Sequence, residues 1–238
     1  MKVHYLIKFS KESDIKFVAH LDLMRTIQRM MKRSGLPVEY SKGFNPHINL
    51  SLAQPLAVGV YSSGDYMDAY FEEEIDENII IEKLNESAPM GIKVLEAKKI
   101  IDEQNKKVFK SMAAIDAAKY RIKLKYNEVS YLKEDIEKLL NSNEWVILKK
   151  SKSGEGEVNI KPMVKEFNYT TTDNILTVNT VVACGSRENL SAELLAKFIQ
   201  ENTREANKEA FVNIKREEMY AKVGKKLVPL YKYAEMIR

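Results

Sequence analysis

A chain of 238 residues with a single cysteine, Cys184, can form no internal disulfide and cannot assemble a multi-thiolate metal or iron-sulfur site by itself. Cys184 follows Val181, Val182 and Ala183 and reads as a small buried strand residue. Histidine is almost as scarce. His4, His20 and His47 all lie in the N-terminal quarter, so acid-base chemistry near neutral pH, which draws most readily on histidine, belongs there if anywhere. No apolar run approaches the roughly 20 residues that cross a bilayer, and Met1-Lys2-Val3-His4-Tyr5 begins no secretory apolar core. A cytoplasmic protein without membrane contact is the expectation.

Excess charge is also small. The 38 Lys and Arg against 34 Asp and Glu leave a net +4, too little to declare a nucleic-acid partner. The distribution says more. Residues 1–50 hold nine basic and four acidic side chains, whereas residues 65–90 hold nine acids and one base, Lys83. That asymmetry predicts an electropositive face and an acidic one, although solvated surface charge explains it equally.

With 45% hydrophobic residues the chain has enough apolar material for one large or two ordinary cores. Val3 to Phe9 alternates as a strand, and Leu23, Met24, Ile27, Met30 and Met31 recur at helical spacing within 17–33, with Gly35 and Pro37 as the stop. Ile48 to Leu52 and Tyr66 to Phe71 read as strands, the second after a turn at Ser62-Ser63-Gly64-Asp65. Asp76 caps a helix ending near Pro89 and Gly91, and Ile92 to Ile100 closes a strand-helix-strand-strand-helix-strand order.

The order recurs after a polar joint at 102–110. Strands are predicted at 120–126, 145–148, 158–170, 175–183 and 211–219, with helices after Ser130 and over 190–199 and a flexible loop at 151–157. The fold class expected is α+β, two tandem ferredoxin-like (βαββαβ) units with antiparallel sheets, at 1–104 and 119–238, joined by a linker at 105–118. The two halves share the pattern and almost no residue identity.

On the first helix Arg25, Arg29 and Lys32 or Arg33 fall near one face, spaced to track successive phosphates; a solvated basic face accounts for the same spacing. The segment Ser41-Lys42-Gly43-Phe44-Asn45-Pro46-His47 follows. Lys42 can neutralise a phosphate, Gly43 admits close backbone approach, Phe44 offers a ring to an unpaired base, and Pro46 stiffens the exit before His47. The RNA-binding set is therefore Arg25, Arg29, Lys42, Gly43, Phe44, Asn45, Pro46 and His47. The competing reading is a tight turn with Phe44 tucked into the core.

As catalytic candidates only His20 and His47 remain, either one a base toward a ribose 2'-hydroxyl, and neither has a recognisable acid partner in the sequence. His20 and Asp22 do not converge on one helical face and no ligand spacing recurs, so neither metal nor cofactor is expected. Gly154-Glu155-Gly156 and Gly224-Lys225-Lys226 lack the spacing of a phosphate loop.

Three segments carry a family resemblance: Val18-Ala19-His20-Leu21-Asp22-Leu23-Met24-Arg25, then Leu36-Pro37 through Ser41 to His47, then Val58-Gly59-Val60. In these the chain resembles the bacterial radical-SAM-linked proteins of unknown function, more weakly over nearly its full length. The resemblance implies a module that extends or neighbours a radical SAM enzyme, often near ribosomal-protein and ribonuclease genes. Because this chain lacks the three-cysteine motif, it is similar to the stand-alone form, with the iron-sulfur enzyme a separate partner. At fold level alone it also resembles the CRISPR repeat-processing endoribonucleases, although Val223-Gly224-Lys225 is a poor counterpart of their glycine-rich loop, and fold analogy transfers no activity. The expected function is an RNA-interacting accessory protein that presents tRNA or rRNA to a radical SAM partner. The rivals are a metal-independent endoribonuclease and a protein-only adaptor docking through the acidic stretch 65–90.

Overall fold

In a computed structural model, residues 2–101, 108–151 and 154–236 are described. The chain divides into two units, Met1–Ala117 with Arg216–Arg238, and Ala118–Lys215. The second unit thus ends at Lys215, where the expectation carried it to residue 238. Of the joint expected at 102–110 and the linker at 105–118, residues 102–107 lie outside the described residues.

The first unit runs β1 (Val3–Lys11), α1 (His20–Arg33), β2 (Leu50–Leu52), β3 (Val60–Phe71), α2 (Glu77–Ser87), β4 (Ile92–Ile100) and the short α3 (Ser111–Ala114). The second holds β5 (Ala117–Lys125), α4 (Leu132–Asn141), β6 (Val146–Ser151), β7 (Gly154–Asn159), β8 (Val164–Thr172), β9 (Ile175–Ala183) and α5 (Ala192–Glu201). The chain then re-enters the first unit through β10 (Asn213–Val223), β11 (Lys226–Pro229) and α6 (Leu230–Met236). The architecture is mixed α and β with mainly antiparallel pairing.

In the first unit the strand order is β4-β1-β3-β10, with β2 on β3 and β11 on β10. Alternation assigns the two faces. Tyr5, Ile7 and Phe9 of β1 and Met67, Ala69 and Phe71 of β3 meet Leu23, Ile27, Met30 and Met31 of α1 and Ile80 and Leu84 of α2 in one buried cluster. Each Leu, Ile, Phe and Met among them contributes roughly 1.5 to 3 kcal/mol by leaving water. The intervening residues His4, Lys8, Tyr66 and Asp68 face the opposite way.

Two expected loops are strand. Ser62-Ser63-Gly64-Asp65 lies inside β3, where Lys11 pairs with Ser62 and Phe9 with Asp65. The polar run reads as a turn by composition, but its backbone is claimed on both sides by β1 and β10. A Cβ on Gly64 would be driven into the Glu217 carbonyl oxygen and lie 3.0 Å from that carbonyl carbon and from Glu218 Cα. Likewise Gly154 and Gly156, expected in a flexible loop, belong to β7 and pair with Ser151 and Lys149 of β6; residues 152–153 of that loop lie outside the described residues.

In the second unit the order is β5-β9-β8, with β6 and β7 a separate two-stranded sheet. Thr172 opposes Ile175 across Asp173-Asn174, and Asp173 takes the positive φ of 50° that this two-residue turn demands. Ser191 caps α5 by accepting from Leu194 N. Arg204 closes on Asp135 of α4 from Nε and Nη2 at 3.0 and 2.7 Å, and its backbone N–H donates to the same carboxylate. The Arg204 hydrogen bonds, opposed by burial, hold the Asp135 carboxyl below its ordinary range.

Candidate nucleic-acid interface

The entry to α1 is fixed by a lysine with no solvent exposure. Lys11, at the end of β1, donates through Nζ to the carbonyls of Lys16 and Val18, both at 2.9 Å, and of Val60 at 3.3 Å. Gly59 N–H also donates to the Lys16 carbonyl. Two of the three resemblance segments, 18–25 and 58–60, are thereby tied to one ammonium. Burial pushes Lys11 below the ordinary lysine value, opposed by Asp65. Asp65 itself accepts from Arg216 Nε at 2.8 Å, and Arg216, 1% exposed, also donates to the Gln54 carbonyl.

Beyond that anchor α1 presents an exposed stripe of Leu21, Arg25, Arg29 and Lys32. Arg25 and Arg29 stand one turn apart, about 6 Å along the axis. Arg25 is half engaged, donating to Asp22 Oδ1 at 3.0 Å; Arg29 forms no ion pair among the described residues. Arg33 does not join the stripe: its Nη2 donates to the Ser87 carbonyl at the end of α2. Ser34 and Gly35, at a φ of 72°, end the helix.

The segment 38–49 is a hairpin against β3. Val38 bridges to Phe71, Tyr40 bridges to Ile48, and Glu39 N–H donates to the Tyr70 carbonyl. Glu39 also receives Asn49 Nδ2 at 2.6 Å. The tip closes by bonds between Ser41 and His47: Ser41 N–H to the His47 carbonyl at 2.8 Å, His47 N–H to Ser41 Oγ at 3.1 Å, and Ser41 Oγ against His47 Nδ1 at 3.0 Å. Lys42, Gly43, Phe44, Asn45, Pro46 and His47 are all exposed, and Gly43 sits at a φ of 134° that a side chain would resist. Phe44 is 108% exposed relative to an extended reference. The reading that tucks Phe44 into the core is therefore wrong, because the Ser41–His47 closure points the five-residue tip outward.

The structure thus brings 41–47 together in one loop and Arg25 and Arg29 together on one helix face, and no hydrogen bond joins the two among the described residues. Ser41 as the brace escaped the sequence reading, although a serine six residues before a histidine across Gly-Phe-Asn-Pro was its visible signal.

The catalytic candidates are differently placed. His20 opens α1 after Ala19, which caps without a side-chain bond, and its Nδ1 is buried without a partner. His4 Nε2 donates to Asp68 Oδ1 at 2.9 Å, and Asp68 Oδ2 accepts from Ser111 Oγ at 2.6 Å and Ser111 N–H at 3.1 Å. Nucleophilic catalysis requires histidine between serine and acid, whereas here the acid is central and Ser111 is wholly buried. The arrangement fastens α3 to the sheet. Lys8, Glu218 and Tyr66 form a second polar network, with Lys8 Nζ at 2.7 Å and Tyr66 Oη at 2.6 Å from Glu218; burial and then Glu218 push Tyr66 far up.

The acidic stretch is smaller than its sequence count. Asp65 and Asp68 are buried in β3, and Glu74, Glu77 and Glu86 pair with Lys99, Lys98 and Lys83. Among the described residues no group of three His, Cys, Asp or Glu could hold a metal ion, and no helix is long and apolar enough to cross a membrane.

No curated protein matches the chain. Among solved structures it is similar to a chain of a Cbf5-Nop10-Gar1 complex at 9% identity and a TM-score of 0.48, covering 97% of this chain and 54% of that one. The chain therefore spans about half the length of that relative. It is also similar to an unknown protein from Galdieria sulphuraria at 10% identity and a TM-score of 0.26, covering 94% and 100% of the two chains. A putative glycine cleavage system transcriptional repressor matches at 8% identity and a TM-score of 0.22, over 84% and 88%. None of these scores carries a functional assignment. Residues 4–192 match a family described as an uncharacterized protein conserved in bacteria (DUF2344), and the chain belongs to that family.

Proposed function

We propose that the protein is a cytoplasmic RNA-interacting accessory factor that presents tRNA or rRNA to a radical SAM enzyme. The observation that carries the RNA reading is the hairpin tip: a solvent-projecting Phe44 flanked by Lys42, Asn45 and His47 on a stem fastened to β3. A ring held out in water gains only when a partner covers it, and the neighbouring Lys42 ammonium favours a polyanion. Arg25, Arg29 and Lys32 add an exposed cationic row. The radical SAM link rests on the resemblance of 18–25, 41–47 and 58–60. With Cys184 as the lone cysteine, the iron-sulfur cluster belongs to the partner.

The tandem ferredoxin-like reading belongs with this proposal. The first unit supports it with β1-α1-β2-β3-α2-β4 and a β4-β1-β3-β2 adjacency. The second supplies β5, α4, β8, β9 and α5, with the β6–β7 hairpin inserted.

Crosslinking the protein to RNA in its native cytoplasm, then sequencing the RNA and identifying co-purifying proteins, tests the whole reading. A specific tRNA or rRNA together with an iron-sulfur enzyme is expected. Recovery of that enzyme with no enriched RNA would favour the adaptor instead.

A further inference from the structure

We propose that the 41–47 loop reads a single unpaired RNA nucleotide, with Ser41 acting as a positioning residue that makes the outward Nε2 of His47 a hydrogen-bond donor. This rests on the RNA reading above and narrows it from RNA in general to unpaired positions.

Ser41 Oγ accepts the His47 backbone N–H at 3.1 Å and stands 3.0 Å from His47 Nδ1. The serine has one proton to give. Giving it to Nδ1 satisfies the ring nitrogen and leaves the neutral imidazole proton on Nε2, facing solvent. If the ring takes up a second proton, Nδ1–H turns back to Ser41 Oγ and Nε2 still donates. With the serine proton directed to Nδ1, His47 offers an N–H to an approaching oxygen in both states and has no outward lone pair for general-base work.

The rest of the tip suits one nucleotide. Phe44 presents a whole ring face, and bases inside an A-form helix are already stacked on each other, so only a looped-out or single-stranded base can use it. Asn45, exposed beside it, carries both an amide donor and an acceptor for a base edge. Lys42 and His47 bracket the ring with two donors suited to flanking phosphates. Gly43, with nothing within 4 Å of where a Cβ would sit, keeps the approach to the backbone open.

The test uses the full chain, an RNA stem-loop with an unpaired loop, and a blunt RNA duplex of equal charge. The stem-loop should bind more tightly. Phe44→Ala should weaken it by about 5- to 150-fold, the loss of one base stack, while leaving duplex binding unchanged. His47→Ala should weaken it about tenfold, and His47→Gln, whose amide reproduces an N–H near Nε2, should restore most of that. Histidine nitrogen NMR should show neutral His47 protonated at Nε2, with the signature lost in Ser41→Ala and retained in Ser41→Thr. Equal affinity for both RNAs with no effect of Phe44→Ala overturns the unpaired-nucleotide inference while the RNA reading stands. A neutral Nδ1–H form overturns the role of Ser41. Failure of both RNAs to bind at low salt overturns the inference together with the reading beneath it.

Discussion

His4 and Asp68 meet at 2.9 Å between Nε2 and Oδ1 on the sheet face turned away from α1, and both side chains are buried. The same carboxylate holds Ser111, so Asp68 links the two in a chain that runs serine, acid, histidine. Asp68→Ala removes three hydrogen bonds and leaves buried donors without acceptors. Urea unfolding should show a loss of about 3 kcal/mol. Ser111→Ala should cost no more than about 1.5 kcal/mol, and neither variant should alter RNA binding.

A second prediction concerns Gly64. The β3 and β10 backbones approach so closely there that a methyl group collides with main-chain atoms of Glu217 and Glu218, which cannot rotate away. Gly64→Ala should cost about 2 to 3 kcal/mol in denaturant unfolding. Gly43→Ala, in open space at a φ of 134°, should cost roughly 1 kcal/mol through backbone strain alone.

Arg216 and Asp65 form a fully enclosed pair, so removing Arg216 leaves a buried carboxylate without its bonded cation. Arg216→Met should destabilise by about 3 to 5 kcal/mol, and the double variant Arg216→Met with Asp65→Leu should recover much of that. Equal losses in the single and double variants, by thermal or urea unfolding, would show that the pair itself is unimportant.

These three sites show which parts of the structure the sequence disclosed. Ile92 to Ile100 is a strand where the sequence placed one after Pro89 and Gly91, and Asp76 caps α2 as its position implied, accepting from Asn78 N–H. Both depend on neighbours within a few residues. Arg216 and Asp65 are 151 positions apart, and nothing local in Asn213–Val223 says that the chain returns to the first unit. The same return turns Ser62-Ser63-Gly64-Asp65 from an apparent turn into strand. At the interface the composition of 41–47 was legible, but the outward setting of Phe44 depends on the Ser41–His47 closure.

Part of the acid sensitivity should come from Asp135 of the second unit. Asp135 has its folded pKa depressed, so its contribution is present above the unfolded carboxylate value and is lost as pH falls through the folded one. Stability should therefore decline below about pH 4, the ordinary carboxylate range. Asp135→Asn should flatten that decline while lowering stability at neutral pH, as read by urea midpoints from pH 2 to 7.

If exposed cations of the first unit engage an RNA backbone, binding must weaken as salt rises. Binding of total tRNA and of rRNA to the full chain, followed across about 50 to 200 mM salt, should fall with a log-log slope of roughly −2 to −3, as three phosphate contacts by Arg25, Arg29 and Lys42 require. The triple alanine variant should bind more weakly and with a slope near zero. Absence of binding at the lowest salt, or wild-type affinity and slope in the triple variant, would show that these cations hold no RNA backbone.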